Sequence, residues 1–78
     1  MFTLSIDGDS CGNHATCEAA RAVLDTIATH MGYAINPQSR TMRGARTVAE
    51  HGTFTDPLSE SIAVMGWRID PVDWSQLP

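Results

Sequence analysis

The chain has no lysine. Its five basic residues are all arginine and stand against nine aspartates and glutamates, for a formal net charge of -4. The sequence pI of about 5.0 argues against a partner built on phosphate backbones, so nucleic acid is not the expected ligand. No apolar run approaches the ~18 residues needed to span a bilayer. The opening "MFTLSIDGDS" has neither a basic stretch nor an apolar core behind one. No signal peptide and no membrane contact are therefore expected, and the chain reads as cytoplasmic. There are only two cysteines and no C-x-x-C pair. That removes the strongest zinc signature and, in a reducing compartment, favours free thiols over a disulfide. The chain is also short. A domain of 78 residues buries only about 60% of its unfolded surface, which leaves little material for a ligand cavity of ~300 Å3 or more. The expectation is a protein that is not an enzyme. The arginine-only basic set matches the codon usage of a GC-rich genome, an actinobacterium or a phage that infects one.

What is present is ordinary globular material: 42% hydrophobic and 18% charged residues. Phe2 to Asp7 alternate in polarity and predict a half-buried strand. Residues from about His14 to Met31 predict a helix, because Ala20, Val23, Leu24, Ile27 and Met31 recur at helical spacing. Glu18, Arg21 and Asp25 then fall on its outer face as an ion-pair ladder. Asn13 serves as the N-cap and Gly32 as the left-handed residue past the end.

A repeated heptapeptide organises the rest. "MGYAINP" (Met31 to Pro37) and "MGWRIDP" (Met65 to Pro71) share methionine, glycine, isoleucine and proline at matching positions. Two copies are too few for a solenoid. Each reads as a joint: a helix ends at methionine, turns at glycine, and enters a strand that stops at proline. Asp56-Pro57 reads as an N-cap followed by proline at the first helical position, and Leu58, Ile62 and Met65 are helically spaced. A short helix at 57–65 and a strand at 66–70 follow, with one continuous strand through "SIAVMGWRI" as the alternative. A further strand is expected within 46–55, with Val48 and Phe54 inward. The predicted architecture is α+β and ferredoxin-like, with two helices on one face of a four-stranded antiparallel sheet. A simpler β-α-β-β layout is the alternative. Phe2, Leu4, Ile6, Tyr33, Ile35, Trp67 and Ile69 would face the helices. Thr3, Ser5, Asp7, Ala34, Asn36, Arg68 and Asp70 would face water. The domain would span 1–71, with 72–78 as a tail.

The stretch "DGDSCGNHATCE" (Asp7 to Glu18) carries the densest chemistry. As a calcium loop it supplies Asp7, Asp9, Gly12 and Glu18 at the expected positions, but it puts Cys11 where an oxygen ligand belongs. Cys11, His14 and Cys17, three residues apart, suit Zn2+ or Cu+ as soft ligands. Cys17 with His14 could also form an activated nucleophile at a helix start, and Cys11 with Cys17 could form a short disulfide. Against these stands a strand-to-helix turn with solvated carboxylates and Cys17 packed as a small apolar residue. His30 is explained by the helix dipole, and His51, before Gly52, by a turn.

The stretches "FTLSIDGDSCGNHATCEAARAVLDTI" and "DPLSESIAVMGWRID" resemble, in layout, the heavy-metal-associated domain. That family is a ferredoxin-like carrier of copper and zinc with paired cysteines after its first strand. Its motif is M-x-C-x-x-C; here Asp9 stands in the methionine position and five residues separate the cysteines. The resemblance implies soft-metal carriage with Cys11 as first thiolate and Cys17 as second, His14 assisting. That is the alternative function.

Two other features point to a protein partner. "RTMRGAR" gathers Arg40, Arg43 and Arg46, able to grip phosphate or an acidic protein surface, against the plainer reading of a solvated loop. The tail holds Trp74 and Leu77, either folded back on the domain or offered to a partner. The expected function is a small protein-binding module without cofactor, phage-encoded and acting on a host protein, with Arg40, Arg43, Arg46 and Trp74 as its contact residues.

Overall fold

The computed structural model describes residues 1–59 and 62–76. It contains five strands, β1 (Phe2–Ile6), β2 (Asp9–His14), β3 (Ala34–Arg43), β4 (Arg46–Asp56) and β5 (Ile62–Pro71), with one α-helix, α1 (Cys17–Met31), between β2 and β3. The strands form a single antiparallel sheet in the order β2-β1-β5-β4-β3. Among the described residues no helix is long and apolar enough to cross a membrane.

The ferredoxin-like expectation is therefore wrong, and so is β-α-β-β. Among the described residues there is one α-helix rather than two, and the sheet has five strands rather than four. Two local errors account for the difference. The first is the segment after Asp7, which was expected to be a connection. Asp7 (φ 53) and Gly8 (φ 84) instead make a tight left-handed turn, and the chain returns as β2 beside β1. Such a turn directly between two strands is the geometry of a hairpin. The helix consequently starts later, with Thr16 as N-cap in place of Asn13; the Thr16 hydroxyl accepts from Ala19 N at 3.0 Å.

The second error is the helix expected at 57–65. Asp56 does cap a turn, its Oδ1 accepting from Leu58 N at 2.9 Å, but that turn is a single 3-10 turn, Pro57–Ser59. Leu58, assigned to the inner face of a helix, is 92% exposed. Beyond the turn the side chains alternate. Trp67 and Ile69 are buried while Val64, Gly66 and Arg68 are exposed, so period two wins over 3.6. The two heptapeptides are thus not equivalent. Gly32 is the left-handed helix C-cap, as expected (φ 78); Gly66 lies inside β5, opposite Thr53 of β4. Nor does the first strand stop at Pro37. β3 runs on to Arg43, which proline permits because β3 is an edge strand.

The core is close to the expected set. Leu4, Phe54, Trp67 and Ile69 from the sheet meet Cys17, Ala20, Leu24 and Ala28 from α1. Phe2, Ile6, Tyr33 and Ile35 pack at its margin, the Tyr33 ring stacked on Phe54 at 6.1 Å. Ala28 rather than Met31 completes the helix stripe, and Met31 is 43% exposed. On the opposite face of the sheet Thr3 pairs with Asp70 and Ser5 with Arg68. No helix covers that face among the described residues, and its polar character fits.

Strand directions give the molecule two unlike ends. The start of β1, the ends of β2 and β5, the start of α1 and the β3–β4 turn share one end. The β1–β2 turn with Asp7 and Asp9, the end of α1 and Asp56 share the other. The last β4–β5 pair toward the first end is Glu50 with Ile69. From there Arg46 to Ala49 pair with β3 alone, so the β3–β4 hairpin leaves the sheet as a two-stranded arm.

Candidate functional site

The residues of "DGDSCGNHATCE" are drawn apart by the hairpin. Cys11 lies in β2, half-buried against the core margin, its Sγ 3.7 Å from Asp9 O. His14 ends β2 opposite Phe2, with its Nε2 buried and no hydrogen-bond partner among the described residues. Cys17 opens α1 and is 2% exposed within the core. Among the described residues no three His, Cys, Asp or Glu side chains come together as a metal-holding group. Both cysteines are free thiols. Where a calcium loop would curl, β2 runs extended instead.

Cys17 also lacks the electrostatics of a nucleophile. Burial pushes its thiol up to about 11, the Glu50 and Glu18 carboxylates add to the rise, and Arg40 and Arg21 oppose it only in part. The helix start does not prevail over desolvation here. Two results follow. At pH 8 iodoacetamide should modify half-buried Cys11 well before Cys17 in the native protein, read by peptide mass mapping. The alkaline limb of stability should also depend on Cys17. Its folded value lies above the ordinary 9.0, so the native state holds the proton that the unfolded chain releases. Stability is intact below about pH 9 and falls as pH rises toward about 11. Cys17→Ala should flatten that decline; an unchanged alkaline limb would contradict it.

The three hairpin arginines have different surroundings. Arg40 and Arg43 are on β3 and Arg46 on β4, with Arg43 and Arg46 paired across the turn at Gly44 (φ 60). Arg40 turns toward Glu50, Nη2 to Oε1 3.6 Å. Glu50 is 4% exposed and takes its main partner from α1: Arg21 Nη1 lies 2.5 Å from the same oxygen. Arg21 also bonds Asp25 at 3.3 Å, the expected i,i+4 rung, and lies over the Trp67 ring, 5.5 Å from its centroid. This Arg21–Glu50–Arg40 assembly was not anticipated. Its signal was present, since Glu50 shares the inward register of Val48 and Phe54 on β4.

Between the hairpin arm and the start of α1 is a half-enclosed notch of about 150 Å3. Phe2, Ala15, Cys17 and Val48 give it apolar walls, and Arg43 and Arg46 stand at its rim. The tail continues from this end of the sheet. Val72 N donates to Met1 O at 3.0 Å, and a 3-10 turn, Trp74–Gln76, follows, held by Asp73 Oδ1, which accepts from Ser75 N at 2.9 Å. Trp74 is neither packed away nor free, at 46% exposure. Leu77 lies outside the described residues.

His51 is not a turn residue. It sits inside β4 opposite Arg68, along a shallow groove of about 440 Å3 that Ser5, Gln38, Trp67 and Arg68 help to line. His30 lies in the last turn of α1, as its dipole suggests. Comparison of the chain with protein-family models, with curated proteins and with solved structures found no significant match to any of them.

Proposed function

We propose that the chain is a small non-enzymatic protein-binding module whose contact surface is the end bearing the hairpin arm and the tail. One observation carries this reading: exposed Trp74 and two exposed methionines share that end with Arg43 and Arg46. Met1, Met42, Val72 and Trp74 are large hydrophobic residues left exposed there, beside Arg43 and Arg46. Tryptophan, methionine and arginine are the residue types enriched at protein interfaces, and tryptophan and arginine dominate their hot spots. The opposite end also exposes large hydrophobics, Met31, Leu58 and Val64, but sets them beside Asp7, Asp9 and Asp56. Arg43 and Arg46 give this end groups that pair with carboxylates of a partner, and Glu18 and Asp73 at the same end limit the directions from which an acidic surface approaches. No cofactor enters this reading.

Affinity capture from cells that contain the protein tests it. Wild type should retain one dominant partner, released by raised salt. Arg43→Glu with Arg46→Glu should lose it, and Trp74→Ala should weaken retention at least tenfold. Capture indifferent to all three substitutions would refute the assignment of this surface.

A further inference from the structure

We infer that the notch between the hairpin arm and the start of α1 is an anchor pocket for one bulky apolar side chain carried on an acidic segment of the partner. The inference rests on the protein-binding reading above and names what that surface takes hold of.

Size sets the first limit. A dry apolar cavity of about 150 Å3 accepts a benzene-sized group, and the notch measures about 150 Å3. Its depth therefore matches one phenylalanine-like side chain rather than a cofactor or a helix face. Rigidity is the second requirement. Cys17 belongs to the packed core, so that wall does not collapse into the space, and Val48 on the arm is only 4% exposed. The Cys17 thiol stays neutral, which leaves that wall without a charge to desolvate. The Thr16 hydroxyl is committed to Ala19 N and does not compete for a ligand.

Charge sets the third limit. Arg43 and Arg46 face each other across the turn and both line the notch; Arg43 already has an interaction within the chain, so Arg46 is the first to meet an incoming carboxylate. Guanidinium groups bind carboxylates through charge-assisted, often bidentate hydrogen bonds. Glu18 also lines the notch, on the helix side, and would turn an acidic segment toward the arm. The ligand so defined has an apolar anchor with carboxylates flanking it on the arginine side.

The test uses three synthetic probes: acetyl-Asp-Asp-Phe-Asp-Asp-amide, the same peptide with alanine in place of phenylalanine, and the same peptide with lysines in place of the aspartates. Each is titrated into the 15N-labelled protein. The first should give saturable amide shifts at residues 15–18 and 43–48 at about millimolar concentration. The alanine and lysine probes should each bind at least tenfold more weakly. Ala15→Trp, at an exposed position on the notch wall, should fill the space and abolish the shifts while the rest of the spectrum keeps its dispersion. Val48→Phe, filling from the other wall, is the second variant should Ala15→Trp fail to fold. Equal shifts from all three probes, or shifts confined to the His51–Arg68 groove, would overturn the inference. So would partner capture that survives Ala15→Trp but is lost in the arginine double variant, an outcome that leaves the protein-binding reading standing.

Discussion

Gly52→Ala is expected to destabilise the fold by about 3 kcal/mol, toward the upper end of what overpacking a tight site costs. The reason is proximity and not backbone angle. A β-carbon at Gly52 would collide with Asn36 O and lie 2.9 Å from both the Pro37 Cα and the Trp67 Cζ2. Two of these atoms are main chain of the neighbouring strand and cannot swing aside. The third belongs to an indole that is 1% exposed, with its Nε1 donating to Thr53 O at 3.1 Å. A domain of this length has a total stability of about 4–12 kcal/mol, and 1 kcal/mol moves Tm by about 4–8 °C at this size. The melting midpoint should therefore fall by about 15 °C. Gly66→Ala is the control. Its nearest atom would be Gly52 O at 3.7 Å, an ordinary contact, so it should be neutral or stabilise by about 0.5 kcal/mol through the unfolded chain. Equal losses from the two substitutions would show that strand glycine in general, and not the Trp67 approach, is responsible.

That contrast bears on what the sequence could reveal. Trp67 was assigned to the core from alternation alone, and Leu4, Ile69 and Phe54 with it. Alternation survives any choice of partner strand, so these residues were legible before the topology was. The topology was not, because it turned on two short segments. Asp7 and Gly8 fold as a tight turn only because β2 can pair beside β1. Nothing in Asp9–His14 marks that pairing, since the strand is polar, glycine-containing and mostly exposed. Pro57-Leu58-Ser59 satisfies the cap rules of a helix for one turn and then yields to the sheet. The pattern shared by the two heptapeptides concealed this. A glycine is equally suited to a left-handed cap and to a place opposite another strand, and only tertiary pairing separates the two. Arg43, Arg46 and Trp74 can be named from the sequence, but the shape of the notch cannot. The notch exists because the arm departs from β5 after Glu50, which is a fact of register.

The residue at that departure point supports the second large prediction. Arg21→Ala should destabilise the protein by about 3 kcal/mol, the range for removing one partner of a buried ion pair. It leaves the Glu50 carboxylate, 4% exposed, facing only Arg40 at 3.6 Å, and it also strips the cation from the Trp67 ring. Arg40→Ala should cost under about 1 kcal/mol, because that side chain is 56% exposed and its contribution is screened. Arg21→Met combined with Glu50→Leu should recover most of the loss, since apolar residues of similar volume often replace a buried pair at no net cost. Urea denaturation of Arg21→Met, Glu50→Leu and the double variant closes the cycle. A double variant as unstable as the sum of its singles would mean that the two residues act separately. The ion pair ties α1 to β4 at the last β4–β5 pair before the arm begins. Arg21→Ala should therefore also speed amide exchange at Thr47, Val48 and Ala49 more than in β1. If exchange rises uniformly instead, the pair stabilises the domain without holding the arm over the notch.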